Sequence, residues 1–128
     1  MVLQLTEAQS WAIGAAVAFM CMDMLTGFIG AVINKCVSSS KMREGIGHKA
    51  LLCCVIAMAL MVEVASQHVA GLDLGGVTVA AVCAYIVLME LASIMENVCG
   101  AYPELRDTPL MRVFEHAGEA RADGDARG

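Results

Sequence analysis

At 128 residues, 59% of them apolar and only 16% charged, the chain is too short and too apolar to hide its hydrophobic surface in a water-soluble core. An average globular domain is about 45–50% apolar and about 25% charged. The net charge of −5 comes with no basic stripe interleaved with aromatics, which argues against nucleic acid as a partner, and the mean hydropathy of +0.69 directs the reading to a lipid bilayer.

A spanning helix requires about 20 predominantly apolar residues. The first candidate runs from about Ala8 to Ile33 and carries Asp23. No positively charged segment precedes it, so it is expected to remain as a span rather than to be cleaved as a signal peptide. The polar stretch from Asn34 to Lys49, with a Ser38-Ser39-Ser40 turn and Gly45 and Gly47, reads as a loop. A second span is expected from about Ala50 to Ala70, carrying Glu63. Gly71 to Gly76 is short enough for a tight helical hairpin, and a third span follows from about Leu74 to Val98 with Glu90 and Glu96. One acid at the centre of a span costs about 2.5–3.5 kcal/mol on the insertion scale, against about 0.3–0.6 returned by each Leu, Ile, Phe or Val. The third span, with two acids, is therefore the most marginal and is expected to depend on packing against the others.

Residues 1–100 form the expected transmembrane domain and residues 101–128 a cytoplasmic tail. In that tail Thr108-Pro109 reads as an N-cap and first helical position. Leu110, Met111, Val113 and Phe114 would make a short amphipathic helix, and from Gly118 onward the composition is that of a disordered segment. Lys35, Lys41, Arg43 and Lys49 lie in the first loop, whereas the N-terminus and second loop carry no Lys or Arg. With Arg106 and Arg112 after span three, the positive-inside rule gives an N-out, C-in topology. The four first-loop cations are read as topology determinants in contact with anionic headgroups, and Trp11 and Tyr102 as interface anchors.

Each span carries one polar or small stripe. Asp23, Thr26, Gly27, Gly30 and Asn34 share a face of span one by their spacing of three to four residues. Ser10, Gly14 and Ala18 form a small-xxx-small series nearby. Glu63, Ser66 and Gln67 share a face of span two; Glu90, Ser93, Glu96 and Asn97 form that of span three. Two readings stand. The stripes are glue between helices of one protomer, since intramembrane acids rarely face lipid, or they meet between protomers and line water once an assembly opens. A proton or cation pathway is a third use of the same acids.

The six cysteines lack disulfide or metal-site spacing, and most sit in apolar runs as small hydrophobes. The ten methionines read as packing residues. Neither a Ser/His/Asp arrangement nor a phosphate-binding loop is present, so no enzyme, cofactor or metal is expected.

The run Asp23-Met-Leu-Thr26-Gly27, followed by Lys35, the serine turn, Gly45 and Lys49, resembles the first half of the toxin-secretion/phage-lysis holins. Glu90-Leu-Ala-Ser93-Ile-Met-Glu96-Asn97, followed by Gly100, Pro103 and Leu105, resembles their third-span signature. Together the matches reach from about Asp23 to Phe114. Glu63 and the acidic tail lie outside that pattern. The resemblance implies a bacteriophage protein that accumulates in the bacterial host inner membrane as a multi-pass homo-oligomer. It implies pore formation that depolarises the cell, release of an endolysin and host cell lysis, with an antiholin as a candidate partner and a link to toxin secretion among relatives. The rival readings are a small proton- or cation-coupled transporter, using Asp23, Glu63 or Glu90, and an antiholin-like regulator with no permeability of its own.

Overall fold

The computed structural model describes residues 4–72, 75, 78–109 and 111–113. Among the described residues the fold is made of three long helices, α1 (Glu7–Ile33), α2 (Ser39–Ser66) and α3 (Val79–Ala101), followed by a 3₁₀ turn at Pro103–Asp107. Among the described residues there is no strand. At 27, 28 and 23 residues, the helices measure about 35–42 Å by the 1.5 Å rise per residue, more than the ~30 Å hydrocarbon core.

Each helix starts on a side-chain cap that satisfies orphan backbone donors. Thr6 opens α1 with a reciprocal capping box, its hydroxyl accepting from the Gln9 N–H while the Gln9 side chain accepts from the Thr6 N–H. Ser38 and Thr78 open α2 and α3 in the simpler form. Helix α1 closes in a Schellman motif: the Cys36 N–H bonds to the Ala31 carbonyl and the Lys35 N–H to Val32. Lys35 adopts φ +53° at the position glycine usually takes.

Contacts across the bundle define its topology. Helix α3 packs chiefly on α1 and less on α2, while α1 and α2 touch little. Helices α1 and α3 run parallel, with α2 antiparallel to both, as the pairings Gln9–Glu63, Asp23–Lys49 and Asp23–Asn97 require. A small core joins Ala16 and Met20 of α1, Ile56 and Ala59 of α2, and Val79, Cys83 and Ile86 of α3. Most large apolar side chains face outward, among them Trp11, Leu51, Met58, Met61 and Tyr85. Only 11–28% of each helix's most apolar stretch is buried within the protein. That surface suits acyl chains, and the all-helical architecture expected from the sequence, with three helices long and apolar enough to span a membrane, is the one observed.

The boundaries shift in four places, one of them the end of the second helix, which closes at Ser66 with Gln67 as its C-cap rather than running to Ala70. The stretch 34–49, read as a loop, is helical from Ser39 onward. Its Ser38 cap and helix-forming Lys41, Met42, Arg43 and Glu44 outweigh Gly45 and Gly47, which cost about 1 kcal/mol each relative to alanine. The third helix begins at Val79 rather than Leu74, because Thr78 supplies the cap. After Ala101 the chain makes the 3₁₀ turn before residues 109 and 111–113 become helical, with Met111 buried. The Thr108 carbonyl, not its side chain, receives the Met111 N–H. The stretch from Gly118 onward lies outside the described residues.

Candidate functional site

Two polar clusters tie α2 to the α1–α3 pair, about 21 Å apart along the helix axis by the standard rise. The first centres on Glu63. Its Oε1 accepts from Gln9 Nε2 at 3.1 Å, and its Oε2 accepts from the backbone N–H of Val79 at 2.7 Å. Val79 is the first residue of α3, so its N–H has no partner within the helix. Glu63 thus caps the third helix from the second and sets its carboxyl oxygens at that helix's N-terminal end. Gln9 uses both ends of its amide, one inside the α1 capping box and the other on Glu63.

The second cluster is an ion triad. Lys49 Nζ lies 2.8 Å from Asp23 Oδ2 on α1 and pairs also with Glu90 Oε2 on α3. The Lys49 and Asp23 side chains are each 13% exposed, and that of Glu90 is 2% exposed. Asn97 completes the cluster: its Nδ2 donates to Asp23 Oδ1 at 3.0 Å and lies 3.2 Å from both the Asp23 carbonyl and Thr26 Oγ1. Among the described residues, no buried side-chain nitrogen or oxygen lacks a hydrogen-bond partner. In lipid, helices gain little from burying apolar surface against one another, so packing and interhelical hydrogen bonds carry association. These two clusters, together with the packing of Ile56 and Ala59 in the core, hold α2 in place.

The remaining polar stripe of α1 also turns toward α3. A Cβ on Gly27 would sit 3.4 Å from Asn97 Nδ2, and one on Gly30 3.6 Å from the Asn97 carbonyl. The small residues let the helices approach. Asn34 Nδ2 reaches the Gly100 carbonyl at 3.5 Å. Asp23, Thr26, Gly27, Gly30, Asn34, Glu90 and Asn97 thus come together within one chain, an arrangement that favours the glue reading for these positions. The series Ser10, Gly14 and Ala18 is exposed, and nothing approaches within 4 Å of a Gly14 Cβ.

Between the N-terminal half of α2 and the C-terminal halves of α1 and α3 lies an open cleft of about 980 Å³. Ser93, Glu96, Lys41, Glu44 and His48 line it together with the triad. Glu96, Lys41 and Arg43 are exposed, as is Gln67 at the C-cap of α2. Lys35 is exposed in the α1–α2 turn.

Sequence reasoning placed Lys49 with the headgroup-facing cations; the structure instead turns it inward onto two carboxylates. The reason lies in the helix start at Ser39, which orients Lys49 toward α1 and α3. Gln9 was missed altogether. Its signal was a long amide one turn into an apolar span, level with the acid of the antiparallel neighbour. All six cysteines are free. Among the described residues, no group of three or more His, Cys, Asp or Glu side chains is placed to hold a metal ion.

Residues 3–102 match the family model described as the bacteriophage holin family. No curated protein and no solved structure matches the chain.

Proposed function

This chain belongs to the bacteriophage holin family, a family of non-enzymatic membrane proteins, and from that premise we propose how it acts. It accumulates in the inner membrane of a bacterial host, assembles with copies of itself and opens holes. These holes depolarise the cell and let an endolysin reach the wall, leading to host lysis. The endolysin passes through and need not bind, and an antiholin is a candidate regulatory partner.

The observation that carries this reading is the division of polar groups. Asp23, Lys49, Glu90 and Asn97 satisfy one another inside the protomer, and Glu63 is satisfied there by Gln9 and the Val79 N–H, which permits harmless accumulation in lipid. Ser93, Glu96, Glu44 and His48 form a polar cleft wall that suits contact with water once protomers assemble. Large apolar side chains cover the remaining surface. Helix ends also support an N-out, C-in orientation. The C-terminal ends of α1 and α3 and the N-terminal end of α2 lie together, which gathers Lys35, Lys41, Arg43 and Arg106 at one end of the bundle. The positive-inside rule assigns that end to the cytoplasm.

Reconstitution tests the proposal. Purified protein in phosphatidylethanolamine/phosphatidylglycerol vesicles should release entrapped protein-sized dextrans once a threshold surface density is reached. Saturable proton or cation flux with every dextran retained would support the transporter instead. Intact vesicles at all densities would leave a regulator of another membrane protein.

A further inference from the structure

We propose that the cleft receives a second copy of this chain, with Arg43 of one protomer against Glu96 of the next. The inference rests on the hole-forming reading and names the contact between its protomers.

Depth in the membrane is the first argument. Lys49 of α2 is paired with Glu90 of the antiparallel α3. Arg43 and Glu96 each lie six residues from that pair, toward the same end of the bundle. They therefore sit at one level, about 9 Å beyond the triad by the helical rise. Two protomers inserted in the same orientation present the two side chains to each other at equal depth.

Charge is the second. Four carboxylates line the cleft, from Asp23, Glu44, Glu90 and Glu96, against two lysines, Lys41 and Lys49. Lys49 is already held by Asp23 and Glu90. The wall keeps a negative excess, and Glu96 forms no ion pair among the described residues. Arg43 is exposed, does not line its own cleft and is likewise without an ion pair among those residues.

Because donor and acceptor occupy different faces, the contact is heterologous. Repeated head to tail, it closes into rings or extends into arrays, the geometry that a hole bounded by many protomers requires. The partner is thus another copy in the same orientation.

The test uses the full chain in vesicles at equal protein density, with a lysine-reactive crosslinker reading the oligomer ladder. Arg43→Glu and Glu96→Arg leave the lysines untouched. Each should reduce dimers and higher bands about threefold or more, the scale of an interfacial ion pair, and the double exchange R43E/E96R should restore them. Should a reversed variant fail to insert, Arg43→Gln and Glu96→Gln read the same contact, and both must thin the ladder. A wild-type ladder from both single variants, or a double exchange no better than either single, overturns the pairing. Dextran release from the same vesicles separates the two claims. Leakage with a charge-insensitive ladder would overturn this contact and leave hole formation standing; a charge-dependent ladder without leakage would do the reverse.

Discussion

Lys49 on α2 and Asp23 on α1 meet at 2.8 Å, and with Glu90 of α3 they place one ammonium between two carboxylates from two other helices. Helix α2 otherwise touches α1 very little. A single side chain therefore joins all three spans at one level. Glu63 does the same about 21 Å away, through Gln9 and the Val79 N–H.

The triad is unequal, and mutation should expose the inequality. Lys49→Met leaves two carboxylates facing each other in a nearly dry site, at a cost of about 3–5 kcal/mol. Asp23→Asn keeps an oxygen for Asn97 and leaves Lys49 paired one-to-one with Glu90, so its cost should be about 1–2 kcal/mol. Thermal unfolding in detergent micelles should rank the variants in that order. The triple variant Lys49→Met, Asp23→Asn, Glu90→Gln should recover most of the loss, and equal losses from the two single variants would show that the charges are not coupled.

Glu63 caps α3 from the preceding helix, so its loss should be felt locally. Glu63→Ala removes acceptors from Gln9 and Val79 and should cost about 1–2 kcal/mol. Glu63→Gln keeps one carbonyl oxygen and should cost less. Hydrogen exchange at the first turn of α3 should accelerate in the alanine variant, while the middle of α1 stays protected; unchanged exchange there would remove the cap from the account.

Glycines on the two faces of α1 should behave oppositely. Gly27 lies against Asn97, and Gly27→Leu would push that amide off Asp23, at about 1–3 kcal/mol for overpacking. Gly14 has open space around it, so Gly14→Leu should leave protomer stability within about 0.5 kcal/mol. Unfolding midpoints of the two variants check the contrast. If Gly14→Leu destabilised the protomer as much as Gly27→Leu, the observed face of α1 would be wrong.

These contrasts also show where the sequence is readable. Length and hydropathy are enough to count the spans, because a stretch of 20 apolar residues has few alternatives to a membrane helix. The α1 stripe from Asp23 to Asn34 was legible as one face by its spacing, as was the Glu90–Asn97 stripe. Their meeting within one protomer was not, because spacing identifies a face and not its partner. Lys49 was hidden by the serines and glycines before it, which read as a loop until Ser38 is recognised as a cap. Gln9 was hidden because an amide in the first turn of a span looks like an interfacial residue. Its partner, Glu63, comes 54 positions later.

The central claim is that the protomer is stored quietly in the membrane and then opens holes. Its most direct test is inducible expression in a bacterium, recording membrane potential and optical density with and without a co-expressed cytoplasmic endolysin. The account predicts a silent interval and then an abrupt loss of potential in both cultures, with lysis only where the endolysin is present. A potential that holds steady, in cells where the inserted protein is verified in the membrane, would contradict it.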